Sequence, residues 1–210
     1  AHDTYTLKTY NGQELRTGVE TYDSEGHLIG DDYKAPQEDG TIKDGNITYV
    51  QGADGKPIPK TDEYSIIPKE GEAPTRTGVQ TFGSDGKVST DDYEEIQEDG
   101  TFKDGKIVYQ ENGKGEDEYV VKASNEEGAA VLRTGTQIYA KDGDIESDDY
   151  IETLEDGTRR DGFVKYGNDG KIDTDEYKIL GEGDKTLREW TTYYDSDGDI
   201  KRDVYSEQTE

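Results

Sequence analysis

Apolar positions in this chain occur in short runs that are separated by glycine-containing turns at regular intervals. No long segment places apolar residues at the i, i+3, i+4, i+7 spacing of an amphipathic helix. Short strands joined by tight turns fit the pattern better. We therefore expect an all-β fold, built as an elongated antiparallel meander of tandem β-hairpins. The pattern is compatible with an open twisted sheet and with a solenoid-like array.

The turns predict which residues face each other across each hairpin. A type I turn followed by glycine in the left-handed region gives a three-residue loop, because glycine adopts that conformation without steric cost. If the loop is residues 24–26, Tyr22 lies opposite Leu28. The same rule pairs Phe82 with Val88, Tyr139 with Ile145, Tyr166 with Ile172 and Tyr194 with Ile200.

The chain repeats itself. Residues 16–33 read RTGVETYDSEGHLIGDDY, and close copies lie at 76–93 and 133–150, with a worn copy at 187–205. A related unit begins between these copies at Lys43, Lys103 and Arg160. Tandem repetition of this kind predicts a quasi-one-dimensional array. The predicted modules are the tail of a truncated repeat (1–15), three two-hairpin modules (16–72, 73–129 and 130–183) and an atypical C-terminal half-repeat that acts as a cap (184–210).

Composition narrows the functional classes. Only 28% of the 210 residues are hydrophobic, but Tyr occurs 16 times at regular positions, which favours an ordered chain. A net charge of −27 argues against nucleic acid and anionic lipid as partners, since both require clustered cations. No apolar run is long enough to insert into a membrane. The absence of cysteine fits export without disulfides, so we expect an extracellular or cell-surface location.

Paired acids precede the tyrosine that closes each unit. Neighbouring residues of a strand point to opposite faces, so one acid of each pair is expected in water and the other beside a Lys or Arg of a neighbouring strand. As exposed ion pairs these contacts would each contribute about 0–1 kcal/mol. The tyrosines are expected to cover a sheet face while their hydroxyls stay in water. The pairs are Asp31-Asp32, Asp62-Glu63, Asp91-Asp92, Asp117-Glu118, Asp148-Asp149 and Asp175-Glu176, and the cations include Lys43, Arg76, Lys103, Arg133 and Arg160.

Two acidic turns allow a second interpretation. Their sequences, Asp195-Ser196-Asp197-Gly198-Asp199 and Asn168-Asp169-Gly170-Lys171-Ile172-Asp173, resemble loops that present oxygen ligands to calcium. Neither completes the calcium-loop pattern, and both are good hairpin turns. The candidate ligands for a weak calcium site are Asp169, Asp173, Asp195, Asp197 and Asp199; no other cofactor is indicated.

No catalytic constellation is visible. Histidine occurs only twice, and the chain lacks nucleophile-elbow, zinc-protease and phosphate-loop motifs. We therefore predict that the protein is not an enzyme. Candidates for a binding face are the aromatic side chains Tyr33, Tyr93, Tyr150, Tyr177 and Trp190, the last being either a capping core residue or a sugar-stacking platform.

The spacing of Tyr, Gly and a second Tyr across each hairpin resembles MORN-like and YwqK-like tandem repeats and, more broadly, β repeats of Gram-positive surface proteins. The resemblance covers nearly the whole chain and implies an array of hairpins, without assigning functional residues. Choline- and glucan-binding repeats have a similar spacing of aromatic residues and glycine, but the paired aromatics on which they depend are missing here.

Two functions follow as hypotheses. The first is a secreted or cell-surface structural or adhesive repeat protein that acts as a stalk, a filament subunit or an interaction surface. The alternative is a module that binds carbohydrate or a host protein through a tyrosine-rich face, with calcium as a possible aid. Its partners would be another protein, a glycan or, by head-to-tail strand addition, a second copy of the chain.

Overall fold

The computed structural model describes residues 1–207, which form an all-β antiparallel meander. Contacts divide the chain into two compact units, residues 1–97 and 98–210. This division falls inside the predicted 73–129 module, and the module boundaries themselves stay a prediction from sequence similarity. Strands of the first unit are β1 (His2–Lys8), β2 (Glu14–Tyr22), β3 (Leu28–Pro36), β4 (Ile42–Gln51), β5 (Pro57–Ile67), β6 (Arg76–Phe82) and β7 (Val88–Ile96).

The second unit has eight described strands and one short 3₁₀ turn, Glu182–Asp184. Its strands are β8 (Phe102–Tyr109), β9 (Gly115–Lys122), β10 (Val131–Tyr139), β11 (Ile145–Thr153), β12 (Arg159–Tyr166), β13 (Ile172–Leu180), β14 (Thr186–Tyr194) and β15 (Ile200–Glu207). Within residues 1–207 no helix has the length and apolar character that a membrane span requires.

Within each unit every strand pairs with the next strand of the sequence. Among the described residues β1 pairs only with β2 and β15 only with β14, so the sheet is open rather than closed. All five predicted cross-strand pairs are confirmed, beginning with Tyr22 opposite Leu28. The others are Phe82–Val88, Tyr139–Ile145, Tyr166–Ile172 and Tyr194–Ile200.

The hairpin turns have the predicted geometry. In the first, the Asp23 N–H donates to the His27 carbonyl at 3.0 Å, and Gly26 has φ 86°. The pairing shifts by one residue between Thr21 and Tyr22, as a bulge after this loop requires. The left-handed glycine therefore sets the register of the hairpin that carries it.

The core is unusual because it lies on one face of the sheet and is largely made of tyrosine. Apolar residues with almost no exposure are Tyr33, Ile47, Tyr64, Tyr93, Ile107, Tyr119, Tyr150 and Val164. The first acid of most pairs is buried beside them, namely Asp31, Asp62, Asp91, Asp117 and Asp148. Two expectations are thereby wrong. The tyrosine row does not keep its hydroxyls in water, and the ion pairs are not exposed.

Candidate functional site

The most regular feature of the molecule is a row in which tyrosine and glycine alternate from strand to strand. Directly opposed residues of neighbouring strands lie on the same face, so the row forms one continuous line in each unit. In the first unit it consists of Tyr5, Gly18, Tyr33, Gly45, Tyr64, Gly78 and Tyr93. In the second it consists of Gly105, Tyr119, Gly135, Tyr150, Gly162, Tyr177, Trp190 and Tyr205.

Glycine is required in this row because a tyrosine side chain lies across it. A Cβ atom on Gly45 would be 2.8 Å from Cε1 of Tyr33 and 2.7 Å from Oδ1 of Asp62. On Gly135 it would be 2.6 Å from the hydroxyl of Tyr119. Real Cβ atoms do not approach other atoms this closely. The glycine strand therefore provides the bed on which the ring of the preceding strand rests.

By crossing the glycine, four tyrosines of the row reach an aspartate two strands away. The Tyr33 hydroxyl donates to Asp62 Oδ2 at 2.6 Å, a contact between β3 and β5. The equivalent bonds are Tyr5 to Asp31 at 2.7 Å, Tyr64 to Asp91 at 2.9 Å and Tyr119 to Asp148 at 2.8 Å. Hydrogen bonds to a charged acceptor contribute about 1.5–3 kcal/mol each. These bonds join strands that are not paired with each other through the backbone.

A Lys or Arg on the strand between the tyrosine and the aspartate completes this arrangement. Lys43 Nζ donates to Asp62 Oδ2 at 2.7 Å, so this carboxylate oxygen accepts from both a tyrosine and an ammonium group. The predicted pairing of one acid of each pair with a Lys or Arg of its repeat is thus confirmed, and the paired acid is the first of the two. The remaining pairs are Arg16–Asp31 at 2.5 Å, Arg76–Asp91 at 3.0 Å, Lys103–Asp117 at 3.0 Å, Arg160–Asp175 at 2.6 Å and Arg133–Asp148.

The same cations also lie over tyrosine rings. The Arg76 guanidinium carbon is 3.7 Å from the ring centroid of Tyr93, and that of Arg133 is 3.7 Å from the centroid of Tyr150. Cation–π contacts of this kind contribute about 0.5–2 kcal/mol, with the larger values where water is excluded. We call the repeated assembly of tyrosine, glycine, aspartate and cation the tyrosine ladder.

Burial shapes the ionisation of the ladder. Burial, together with the hydrogen bond to Asp31, raises the pKa of Tyr5 to about 12. Burial likewise raises the pKa of Tyr150 to about 12. The pKa of Asp175 is raised because burial outweighs the nearby Arg160. The ladder therefore keeps its tyrosine hydroxyls protonated, which suits hydrogen-bond donors and opposes a role as bases or nucleophiles.

Some buried carboxylate oxygens receive no conventional hydrogen bond. Oδ1 of Asp31 and Oδ1 of Asp62 are such atoms. Each lies against a ladder glycine, since an added Cβ on Gly18 or Gly45 would be 2.8 Å and 2.7 Å from the respective oxygen. A larger residue at either position would therefore contact the carboxylate as well as the tyrosine ring.

The ladder ends where tryptophan replaces glycine. Trp190 stacks on Tyr177 with centroids 6.2 Å apart and on Tyr205 with centroids 4.9 Å apart. Because the indole occupies the bed that glycine would offer, Tyr177 cannot lie across β14. Arg188 donates to Glu207 at 2.5 Å in this last unit. Tyr205 is 62% exposed, so one end of the aromatic stack faces solvent.

The predicted binding-face residues are therefore in different environments. Tyr33, Tyr93 and Tyr150 are buried, which leaves them little surface for contact with a ligand. Tyr177 and Trp190 are half-buried and lie side by side in the stack. The structure brings together only these last two.

Two of the five aspartates proposed for calcium accept backbone hydrogen bonds within their own turns. Oδ1 of Asp195 accepts the N–H groups of Asp197 at 2.9 Å and Asp199 at 3.1 Å. Oδ1 of Asp169 accepts a backbone N–H in the other loop, and Asp173 lies 3.9 Å from a lysine. Across residues 1–207, no group of three or more His, Cys, Asp or Glu side chains is arranged to hold a metal ion.

No family model matches this chain, and no curated protein matches it either. The resemblance to MORN-like and YwqK-like repeats stays a prediction from aromatic and glycine spacing. Functional inference accordingly rests on the geometry described above.

Proposed function

We propose that this chain is a non-catalytic repeat protein that works outside the cell or on its surface as a structural or adhesive element. Such an element would be a stalk, a filament subunit or an interaction surface. The observation that supports the proposal is the tyrosine ladder, in which residues able to do chemistry recur in every unit and are bound to one another. The carboxylates and cations of the ladder pair with each other, and the hydroxyls of Tyr5, Tyr33, Tyr64 and Tyr119 donate to the same carboxylates.

An enzyme would require a different arrangement. A catalytic pair breaks the symmetry of a repeat, lies in a pocket and keeps its reacting atoms accessible. Asp148, by contrast, is buried and already accepts from Tyr119 and Arg133. The contacts of these groups with each other stabilise the sheet. A structural array with few apolar residues depends on such polar contacts for its stability.

The extracellular location is part of the proposal and is supported by composition. A chain with net charge −27 and no cysteine remains soluble and needs no disulfide chemistry after export. Antibodies against the chain should label intact cells of the source organism. Labelling only after permeabilisation would contradict the location.

The non-catalytic role has a direct test. The chain is incubated with panels of peptides and polysaccharides, and products are measured by mass spectrometry. We expect no turnover. Turnover that disappears in the Asp148→Asn variant but not in a variant of an exposed acid would overturn the proposal.

A second candidate function is glycan binding at the C-terminal stack, favoured by the exposure of Tyr205 beside Trp190. Sugar rings stack on such aromatic faces. A glycan array with and without calcium, repeated with Tyr205→Ala, tests both the site and the calcium-assisted form. No bound glycan in either condition would remove this candidate.

A third candidate is self-association, in which an edge strand of one copy pairs with an edge strand of another. Both edge strands, β1 with Tyr5 and β15 with Tyr205, carry a tyrosine of the row. Pairing them would place two tyrosine strands side by side with no glycine strand between. Light scattering over a wide concentration range tests this, and concentration-dependent growth would support assembly.

A further inference from the structure

The face opposite the tyrosine ladder is open, and it carries the second acid of each pair. On this face the residue between two such acids, on the intervening strand, differs from copy to copy. These intervening positions decide how the charge of the acids is compensated, because directly opposed side chains are close enough to interact.

Two copies of the KDG-type unit have a hydrogen-bonding or cationic residue at this position. Asn46 lies opposite Asp32 and Glu63, and its amide donates a hydrogen bond to Asp32. In the next copy Lys106 lies opposite Glu118. A polar or cationic side chain therefore occupies this position in both.

The third copy has Phe163 at the same position, and this breaks the repeat. Phe163 lies directly opposite Asp149 on one side and Glu176 on the other, and its side chain is 42% exposed. A phenyl ring can neither donate a hydrogen bond to these acids nor neutralise them. The two acids beside this exposed ring therefore lack the hydrogen-bonding or cationic neighbour that the other two KDG-type copies have at this position.

The surroundings of Phe163 form an acidic groove of about 320 Å³. Four carboxylates and one ammonium group line it, from Asp149, Asp161, Glu176, Glu189 and Lys178. The lysine is engaged, with Nζ 3.4 Å from Glu189 Oε1. Among the described residues the other three acids have neither a hydrogen bond nor an ion pair from a side chain. The groove thus has an excess of unpaired negative charge around an aromatic floor.

We propose that this groove binds a lysine or arginine side chain of a basic peptide segment. The cation would lie over the Phe163 ring, as the ladder cations lie over tyrosine rings, with Asp149 and Glu176 on either side. Lys106 supplies from within the chain the kind of group that the ligand would supply here. The inference rests on the proposed function, because it names the partner of an interaction surface.

Val79 in the first unit provides a matched comparison. It lies between Glu63 and Asp92 in the same way, on the same kind of open face, but has no aromatic ring. Phe163→Lys and Val79→Lys therefore make the same change in net charge beside two acids. Only Phe163→Lys should remove the peptide site. This substitution removes the aromatic ring and places a lysine of the chain itself in the groove around position 163.

The probe is an acetylated, amidated peptide of alternating lysine and serine, with its fully lysine-acetylated form as the uncharged control. Incorporation of fluorophenylalanine gives one resonance for each of the three phenylalanines. The Phe163→Leu variant assigns the resonance of Phe163. We expect the lysine peptide to shift that resonance selectively and the acetylated peptide to leave it in place.

Calorimetry then gives affinities. Phe163→Lys should weaken peptide binding at least about tenfold, and Val79→Lys less than about twofold. Phe163→Leu, which keeps the fold and the acids, should weaken it about threefold. Equal losses in the two lysine variants, or no shift of the Phe163 resonance, would overturn the site. If the peptide is instead bound and cleaved, as mass spectrometry would show, the site stands and the non-catalytic function fails.

Discussion

Replacement of Gly45 by alanine tests whether the ladder depends on a strand without side chains. The added methyl group would be 2.8 Å from Tyr33 Cε1 and 2.7 Å from Asp62 Oδ1, so both side chains must move. Overpacking of this kind costs about 1–3 kcal/mol. Displacing the 2.6 Å bond from Tyr33 to Asp62 costs about 1.5–3 kcal/mol more.

A gain partly offsets these costs. Alanine in a strand is favoured over glycine by about 0.5–1 kcal/mol. The expected net loss is therefore about 1.5–5.5 kcal/mol, a large part of the about 5–15 kcal/mol that holds a typical domain folded. The loss is measured as a shift of the urea unfolding midpoint, followed by circular dichroism.

Gly30 on the neighbouring strand is the control. A Cβ there would meet its nearest atoms at 3.7 Å and 3.9 Å, which is ordinary contact. Gly30→Ala should leave stability unchanged or raise it by up to about 1 kcal/mol. If Gly45→Ala were as stable as the wild type, or if both variants lost stability equally, the ladder would not require glycine and the reasoning would be refuted.

Three further predictions concern the charges and rings of the ladder. Asp148→Asn should lower the free energy of unfolding by about 1.5–3 kcal/mol, whereas Asp149→Asn, on the exposed face, should change it by less than about 0.5 kcal/mol in urea titrations. Tyr177→Ala uncovers one face of the Trp190 indole and should shift its fluorescence emission to longer wavelength, while Tyr5→Ala should not. The folded-state pKa of Tyr5 is about 12, above its ordinary value near 10, so the stabilisation is complete below pH 10 and is lost as pH rises through the folded pKa. Tyrosinate absorbance should therefore rise together with loss of the circular dichroism signal, and gradual ionisation with the fold intact would contradict this.

The hairpins were predictable because each is determined by residues that are close together in the sequence. Tyr22 and Leu28 are separated by one glycine turn, and turn geometry alone fixes that they face each other. The pairing of Arg16 with Asp31 was predictable for a related reason, since the two lie on neighbouring strands of one hairpin. Each of these contacts depends only on the register of a single turn.

The tyrosine ladder could not be predicted from the register of single turns. Tyr5 and Asp31 are 26 residues apart and lie on β1 and β3, which are not paired. Their contact depends on a ring leaning across Gly18 on the strand between them. The recurring glycine opposite each tyrosine is the feature of the sequence that could have revealed the ladder. Without the register of three successive strands, however, such a glycine indicates only a residue that destabilises its strand.

The sequence by itself determined the all-β class, the hairpin registers and the separation of each acid pair between two faces, because strand alternation and left-handed glycines act over a few residues. Tertiary structure decided that most of the tyrosines in the row are buried rather than in water, that hydroxyls such as that of Tyr33 bind aspartates two strands away, and that Trp190 ends the ladder. The physical reason is that these outcomes depend on how side chains from three strands share one surface. A pattern along the chain does not contain that information until the strands are placed side by side.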